Sequence, residues 1–220
     1  MYPISYEADY ARERNRLTTF FRIIVAIPWL IVGYIYSFVA QITAFFAWVA
    51  ILILGHYPPG LYDLNAGLVR ALTRFSAFTS LQTDAWPPFG ISSDPTYPVR
   101  LQVAQPAERQ SRLSVFFRLI LAIPLLVVSY AILAIQFGVS ILSWLTIVFR
   151  GYQPAGVHNA IAFTHAWTAR FYGYLMLLRD EYPPVGDEGP QVGDLPAPGQ
   201  PAFAGPAAAS SQPTTPPSEG

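Results

Sequence analysis

The chain has 220 residues, of which 53% are hydrophobic, 15% aromatic and only 12% charged, with a formal net charge of zero. Ordinary soluble domains carry about twice that charged fraction, and a neutral balance leaves no electrostatic footprint for nucleic acid. There is no cysteine, which excludes disulfides, thiolate metal sites and cysteine nucleophiles, and all 13 basic residues are arginine, a bias of GC-rich bacterial genomes.

The first segment, MYPISYEADYARERNR, is polar and partly acidic, with no apolar core or cleavage site of a removable signal peptide. Within it Ile4 and Tyr6 alternate with polar neighbours, a weak strand pattern. An apolar run of 38 residues follows, Leu17 to Leu54, and no charged residue occurs between Ile23 and Tyr62. As one straight helix that run would measure about 57 Å at 1.5 Å per residue, against a bilayer core of about 30 Å. Two passes of roughly 17 residues fit the lower limit for a spanning helix. The turn is expected within 34–41, where Tyr, Ser and Gln interrupt the aliphatics. Residues 61–83 then read as an amphipathic interfacial helix. Leu61, Leu64, Leu68, Leu72 and Phe75 form its apolar stripe, and Arg70 and Arg74 share another face. Pro87-Pro88 closes the segment, since proline cannot continue a helix.

The same order then recurs. Val99-Arg100-Leu101-Gln102-Val103 alternates cleanly and is suited to pair with the first lead. Leu119 to Phe149 again lacks charge, with its turn expected within 130–138, and residues 157–179 form a second helical segment. Sliding the sequence on itself by 96 residues aligns Arg16–Pro88 with Arg112–Pro184 without a gap, 24 of 73 positions being identical. This is an internal duplication. Repeat one covers 1–95 and repeat two 96–186. The Pro/Ala/Gly/Ser-rich remainder, 187–220, reads as a disordered tail, too poor in apolar residues to offset ordering entropy.

With a hairpin in each repeat, all 13 arginines fall on one side and none in the turns, as cytoplasmic enrichment of positive charge requires. The expected object is therefore an all-α protein of the bacterial inner membrane, multi-pass, with four spans and both termini cytoplasmic. A second arrangement puts residues 16–27 in the interface, a single tilted span at 29–54, and the 61–83 helix across the membrane. It buries Asp63, Arg70 and Arg74, at about 2.5–3.5 kcal/mol each near the bilayer centre. Both arrangements have an even number of spans per repeat and make the two halves parallel. In the hairpin reading Arg22 and Arg118 stand at the span entrance, their guanidinium groups snorkelling to headgroups, and Pro28 and Pro124 kink the first span.

The string RLxxFFRxIxAIP, then Trp, then GxxPxG, then DxxPP after an arginine-bearing helix, resembles a bacterial membrane-protein family known as a domain of unknown function, number 4389. The resemblance covers both repeats. It implies a small integral membrane protein and supplies no activity, cofactor or catalytic residue. His56 and Tyr152 stand where family members often carry a basic residue.

No nucleotide-binding, hydrolase or metalloprotease fingerprint occurs, and no cofactor is expected. His158 and His165 lie seven apart in an aromatic segment and read as packed side chains. The charged residues carry the most information. Of six in repeat one, Arg16, Arg22, Arg74 and Asp84 keep their identity as Arg112, Arg118, Arg170 and Asp180, whereas only 20 of the other 67 aligned positions do. Each Asp is expected to pair with an arginine of its own repeat, and the same eight residues are the candidate site for an anionic headgroup. The lipid bilayer is the expected partner, together with anionic lipid headgroups and either a membrane-protein partner or a second copy. The functional expectation is a non-enzymatic accessory or scaffold component, the alternative a small transporter or a lipid- or anion-handling protein using the interface between repeats.

Overall fold

Neither long apolar run turns back on itself. The computed structural model describes residues 2–104 and 110–184; the 187–220 tail lies outside the described residues. The first copy comprises β1 (Ile4–Ala8), two short helices α1 (Arg16–Phe20) and α2 (Arg22–Val25), the long α3 (Ile27–Leu54) and α4 (Pro59–Thr79). The second repeats it as β2 (Val99–Val103), α5 (Arg112–Phe116), α6 (Arg118–Arg150) and α7 (Ala155–Leu175). Both α3 and α6 are long and apolar enough to cross a membrane.

The hairpins expected within 34–41 and 130–138 do not form, and the polar residues there explain why. In the first run Gln41 donates to the Ser37 carbonyl and, just beyond the expected turn, Thr43 to those of Val39 and Ala40, whereas in the second Gln136 Nε2 donates to Ser76 Oγ of α4. A polar side chain that bonds back onto its own helix interrupts nothing. The breaks come later, at Gly55 and Gly151, both at φ 79°. That left-handed conformation ends a helix at little cost only in glycine, and Pro58 and Pro154 then stand immediately before α4 and α7. Pro28 lies in the first turn of α3, where its missing N–H costs nothing, while Pro124 is carried inside a continuous α6.

Each long helix buries one narrow stripe. On α3 it is Trp29, Gly33, Ala40, Ala47 and Ile51; on α6 it is Arg118, Ala122, Leu125, Ile132, Ser143 and Ile147. Steps of three, four, seven and eleven keep these residues on one side. Small residues let the partner helix come close, as where Gly33 meets the Phe75 ring. The rest of each circumference, including Leu30, Ile31, Tyr34, Phe38 and Phe45, is exposed and apolar.

The helices α4 and α7 are central, not peripheral. Tyr62, Ala66, Leu68, Val69, Ala71, Arg74 and Phe78 are all buried, so residues 61–83 do not form the one-striped interfacial helix expected of them. The lead strands cover this centre. β1 and β2 pair antiparallel, Ile4 with Val103 and Ala8 with Val99. Ile4, Tyr6, Val99 and Leu101 point inward.

The contacts between copies are reciprocal. Arg14 N donates to the Gly151 carbonyl, and Gln110 N to the Gly55 carbonyl, 96 residues displaced at both ends. Phe20 meets Trp144, and Phe116 meets Trp48. Such exchange is the mark of a two-fold relation. The start of the α1–α3 run thus sits at the end of α6, and the start of the α5–α6 run at the end of α3. The long helices run antiparallel to each other: matched arginines reveal duplication, but only long-range contacts fix the direction of the helices.

Candidate functional site

Asp84 follows the end of α4 and is carried back to the beginning of the α1–α3 run. There its carboxylate accepts from Arg22 Nη2 at 2.5 Å and from the backbone N–H of Asn15 at 3.1 Å. The second copy repeats the node: Asp180 accepts from Arg118 Nη2 at 2.5 Å and from Ser111 N at 3.1 Å. In each copy the guanidinium also lies 4.2 Å from an aromatic centroid, Phe78 for Arg22 and Tyr174 for Arg118. The arginine side chains are 4% and 2% exposed, whereas each aspartate is 28% exposed. Arg22 and Arg118 therefore do not snorkel outward; each is an interior cation held by a carboxylate and a ring. Burial lowers the pKa of the Arg22 guanidinium, and Asp84 opposes that shift.

The other four retained arginines go elsewhere. Arg112 Nη2 donates to the Ile53 carbonyl at the end of α3. Its counterpart Arg16 packs on Gly151, so closely that a Cβ there would come within 2.7 Å of Arg16 Nε. Both arginines thus cover the C-terminus of the other copy's long helix, where carbonyls lack partners and a cation is favoured. Arg74 donates to the Ser92 carbonyl at 2.8 Å and tethers the segment after Asp84, while Arg170 stands 6.0 Å from the Tyr2 ring centroid. The eight residues do not converge on one place.

A polar core between the copies left no trace in the repeat comparison. Arg14, 8% exposed, donates to the Gln82 carbonyl and to Gln153 Oε1. Gln153 in turn donates to the Leu81 carbonyl and to Ser143 Oγ, and Gln82 Nε2 contacts the His158 ring at 2.9 Å. His165 bonds Ser80 Oγ at 2.6 Å and faces the Tyr6 ring. Position 110, equivalent to Arg14, is Gln, and the equivalents of Gln82 and Gln153 are Leu178 and Tyr57. A search for identities passes over such positions. Burial lowers the pKa of His158 to about 4 and that of His165 to about 3, so both rings are neutral at pH 7. No group of three metal-ligating side chains occurs among the described residues.

A family model described as "Domain of unknown function (DUF4389)" matches residues 16–90 and again 112–185. No curated protein and no solved structure matches.

Two outcomes follow from this geometry. Asp84→Ala should destabilise the protein in detergent by about 3–5 kcal/mol, because it strands a buried guanidinium. A double-mutant cycle with Arg22→Met should return a coupling of about 1–3 kcal/mol; additive losses would show that the pair is not an energetic unit. The buried histidines set a pH dependence. Free histidine titrates near 6.5, so below that value the unfolded chain takes up protons that the folded chain refuses. Stability should be flat above about pH 7 and fall as pH drops from 6.5 toward 4, by up to about 1.4 kcal/mol per pH unit for each ring. His165→Gln should roughly halve the slope measured between pH 7 and 5, and an unchanged slope would contradict the assignment.

Proposed function

The chain belongs to the DUF4389 family, whose unit it carries twice, and from that premise we propose that it is a non-enzymatic scaffold or accessory protein of the bacterial inner membrane, embedded through α3 and α6. The observation that carries this reading is the filled interface between the copies. Ile51, Ala66, Val69 and Ala77 of the first copy pack in one cluster with Val115, Ala166, Ala169 and Leu178 of the second. The polar groups at the junction bond to one another, Arg14 to Gln82 and Gln153, Ser80 to His165. A conduit between repeats would need polar groups facing a path.

A second reading rests on the cleft at the junction of the copies, where Arg12, Arg16 and Arg150 stand with Glu13 around Gly151 and Tyr152. Cations gathered on one edge would suit an anionic lipid headgroup.

The embedded scaffold makes a two-part expectation. The full-length chain should remain in the membrane pellet through alkaline carbonate and high salt and leave it only with detergent. Vesicles reconstituted with it should hold a proton or potassium gradient as long as empty ones do. Release into the carbonate wash would contradict embedding, and protein-dependent collapse of the gradient would favour the transporter.

A further inference from the structure

Resting on the reading that α3 and α6 are embedded, we propose that they lie along one leaflet and do not cross the bilayer. The approximate two-fold axis stands along the membrane normal. The β1–β2 sheet faces water, and the apolar surface of the α1–α3 and α5–α6 runs beds into the acyl chains of a single leaflet.

The sheet supplies the first argument. β1 runs beside α7: Ile4 packs where a Cβ on Gly173 would sit, the Tyr6 ring lies on His165, and the Ala8 carbonyl is 3.4 Å from His158 Nε2. β2 runs beside α4 in the same way, Tyr97 facing Arg74 and the Ala104 carbonyl accepting from Tyr62. The strands therefore lie level with the middles of α4 and α7. These helices pack lengthwise on the long ones, Phe75 on Gly33 and Asn65 on Thr43. If α3 and α6 stood across a bilayer, the strands would stand with them at the centre of the hydrocarbon. Both open sheet edges would then face lipid, which spanning proteins avoid. So would the ion pairs of Arg100, at 2.7 Å from Asp9 and 3.5 Å from Glu7, together with the exposed Gln102. Laid flat, the same sheet has its apolar side on α4 and α7 and its polar side in water, the ordinary condition of a half-buried antiparallel pair.

Length gives the second argument. At 28 residues α3 measures about 42 Å, and the uncharged part of α6 about 46 Å. Fitting them across a core of about 30 Å needs tilts of about 45–50°, outside the usual range of roughly 0–40°.

Charge gives the third. Because the long helices are antiparallel, a crossing orientation puts Arg12, Arg16 and Arg150 on one side of the membrane and Arg112 on the other. No crossing orientation collects the arginines on the cytoplasmic side. With the axis along the normal, both ends of the molecule lie at one depth, where these cations meet the headgroups of the same leaflet.

The chain has no cysteine, so single cysteines report without background. His56→Cys and Glu13→Cys place a thiol at opposite ends of the long helices, Gln102→Cys on the outer face of the sheet, and Phe38→Cys on the exposed side of α3. In right-side-out and inside-out vesicles, a membrane-impermeant maleimide should reach the first three from the same side. The Phe38→Cys variant should react only after detergent is added. Labelling of His56→Cys and Glu13→Cys from opposite sides, or protection of Gln102→Cys until detergent is added, would overturn the proposal. A failure of embedding itself is distinct: the chain would leave the pellet in carbonate before any labelling.

Discussion

Each long apolar run begins on the end of the other, and the rest of the molecule is arranged around that exchanged junction. At either end a glycine at φ 79° turns the chain, its carbonyl accepts an N–H from the other copy, and an arginine of the other copy lies over the helix terminus. A tryptophan one to two turns earlier packs on the incoming Phe, and Trp48 Nε1 donates to the Val115 carbonyl. For the carbonyls, the helix termini and the tryptophans alike, the partner comes from the other copy. A helix terminus leaves carbonyls without partners, and the neighbouring copy supplies their donors.

With the ends fixed in this way, α4 and α7 lie side by side and antiparallel between the long helices, and the lead strands must meet in the same sense. The register follows: Ile4 pairs with Val103 and Ala8 with Val99, each copy giving what it receives. Charge is drawn inward by the same closure. The segment after α4 returns to the start of the α1–α3 run, where Asp84 neutralises Arg22 inside the protein. The retained arginines are therefore structural parts of two interiors and two junctions. The surface left over on α3 and α6 is almost wholly apolar.

Much of this was legible in the sequence, and what was not has a physical reason. The duplication could be read from identities such as Phe20-Phe21-Arg22 and Phe116-Phe117-Arg118, and the alternation of Val99 to Val103 announced a strand. The choice of Arg22 over Arg16 or Arg74 as partner for Asp84 was open, because all three are equally retained and only the path of the chain separates them. The continuity of α3 was hidden by Ser37 and Gln41, which look like a turn in composition but bond within the helix. The direction of the copies was hidden altogether. A two-fold and a translation leave the same repeat in a sequence, and long-range contacts such as Arg14 to Gly151 decide between them. The Arg14–Gln82–Gln153 network was invisible for a further reason: at the equivalent place by Gly55 stand Gln110, Leu178 and Tyr57, where Gln110 Nε2 donates to the Leu177 carbonyl instead.

The antiparallel relation of the long helices is the central claim, and a distance tests it most directly. Spin labels at His56→Cys and Tyr152→Cys mark the ends of α3 and α6. In the two-fold arrangement these ends lie at opposite extremes of the molecule, so pulsed dipolar spectroscopy on the full chain should give a separation on the order of 40 Å, the length of α3 itself. A separation under about 20 Å, with both ends at the same extreme, would mean parallel long helices and would contradict the account.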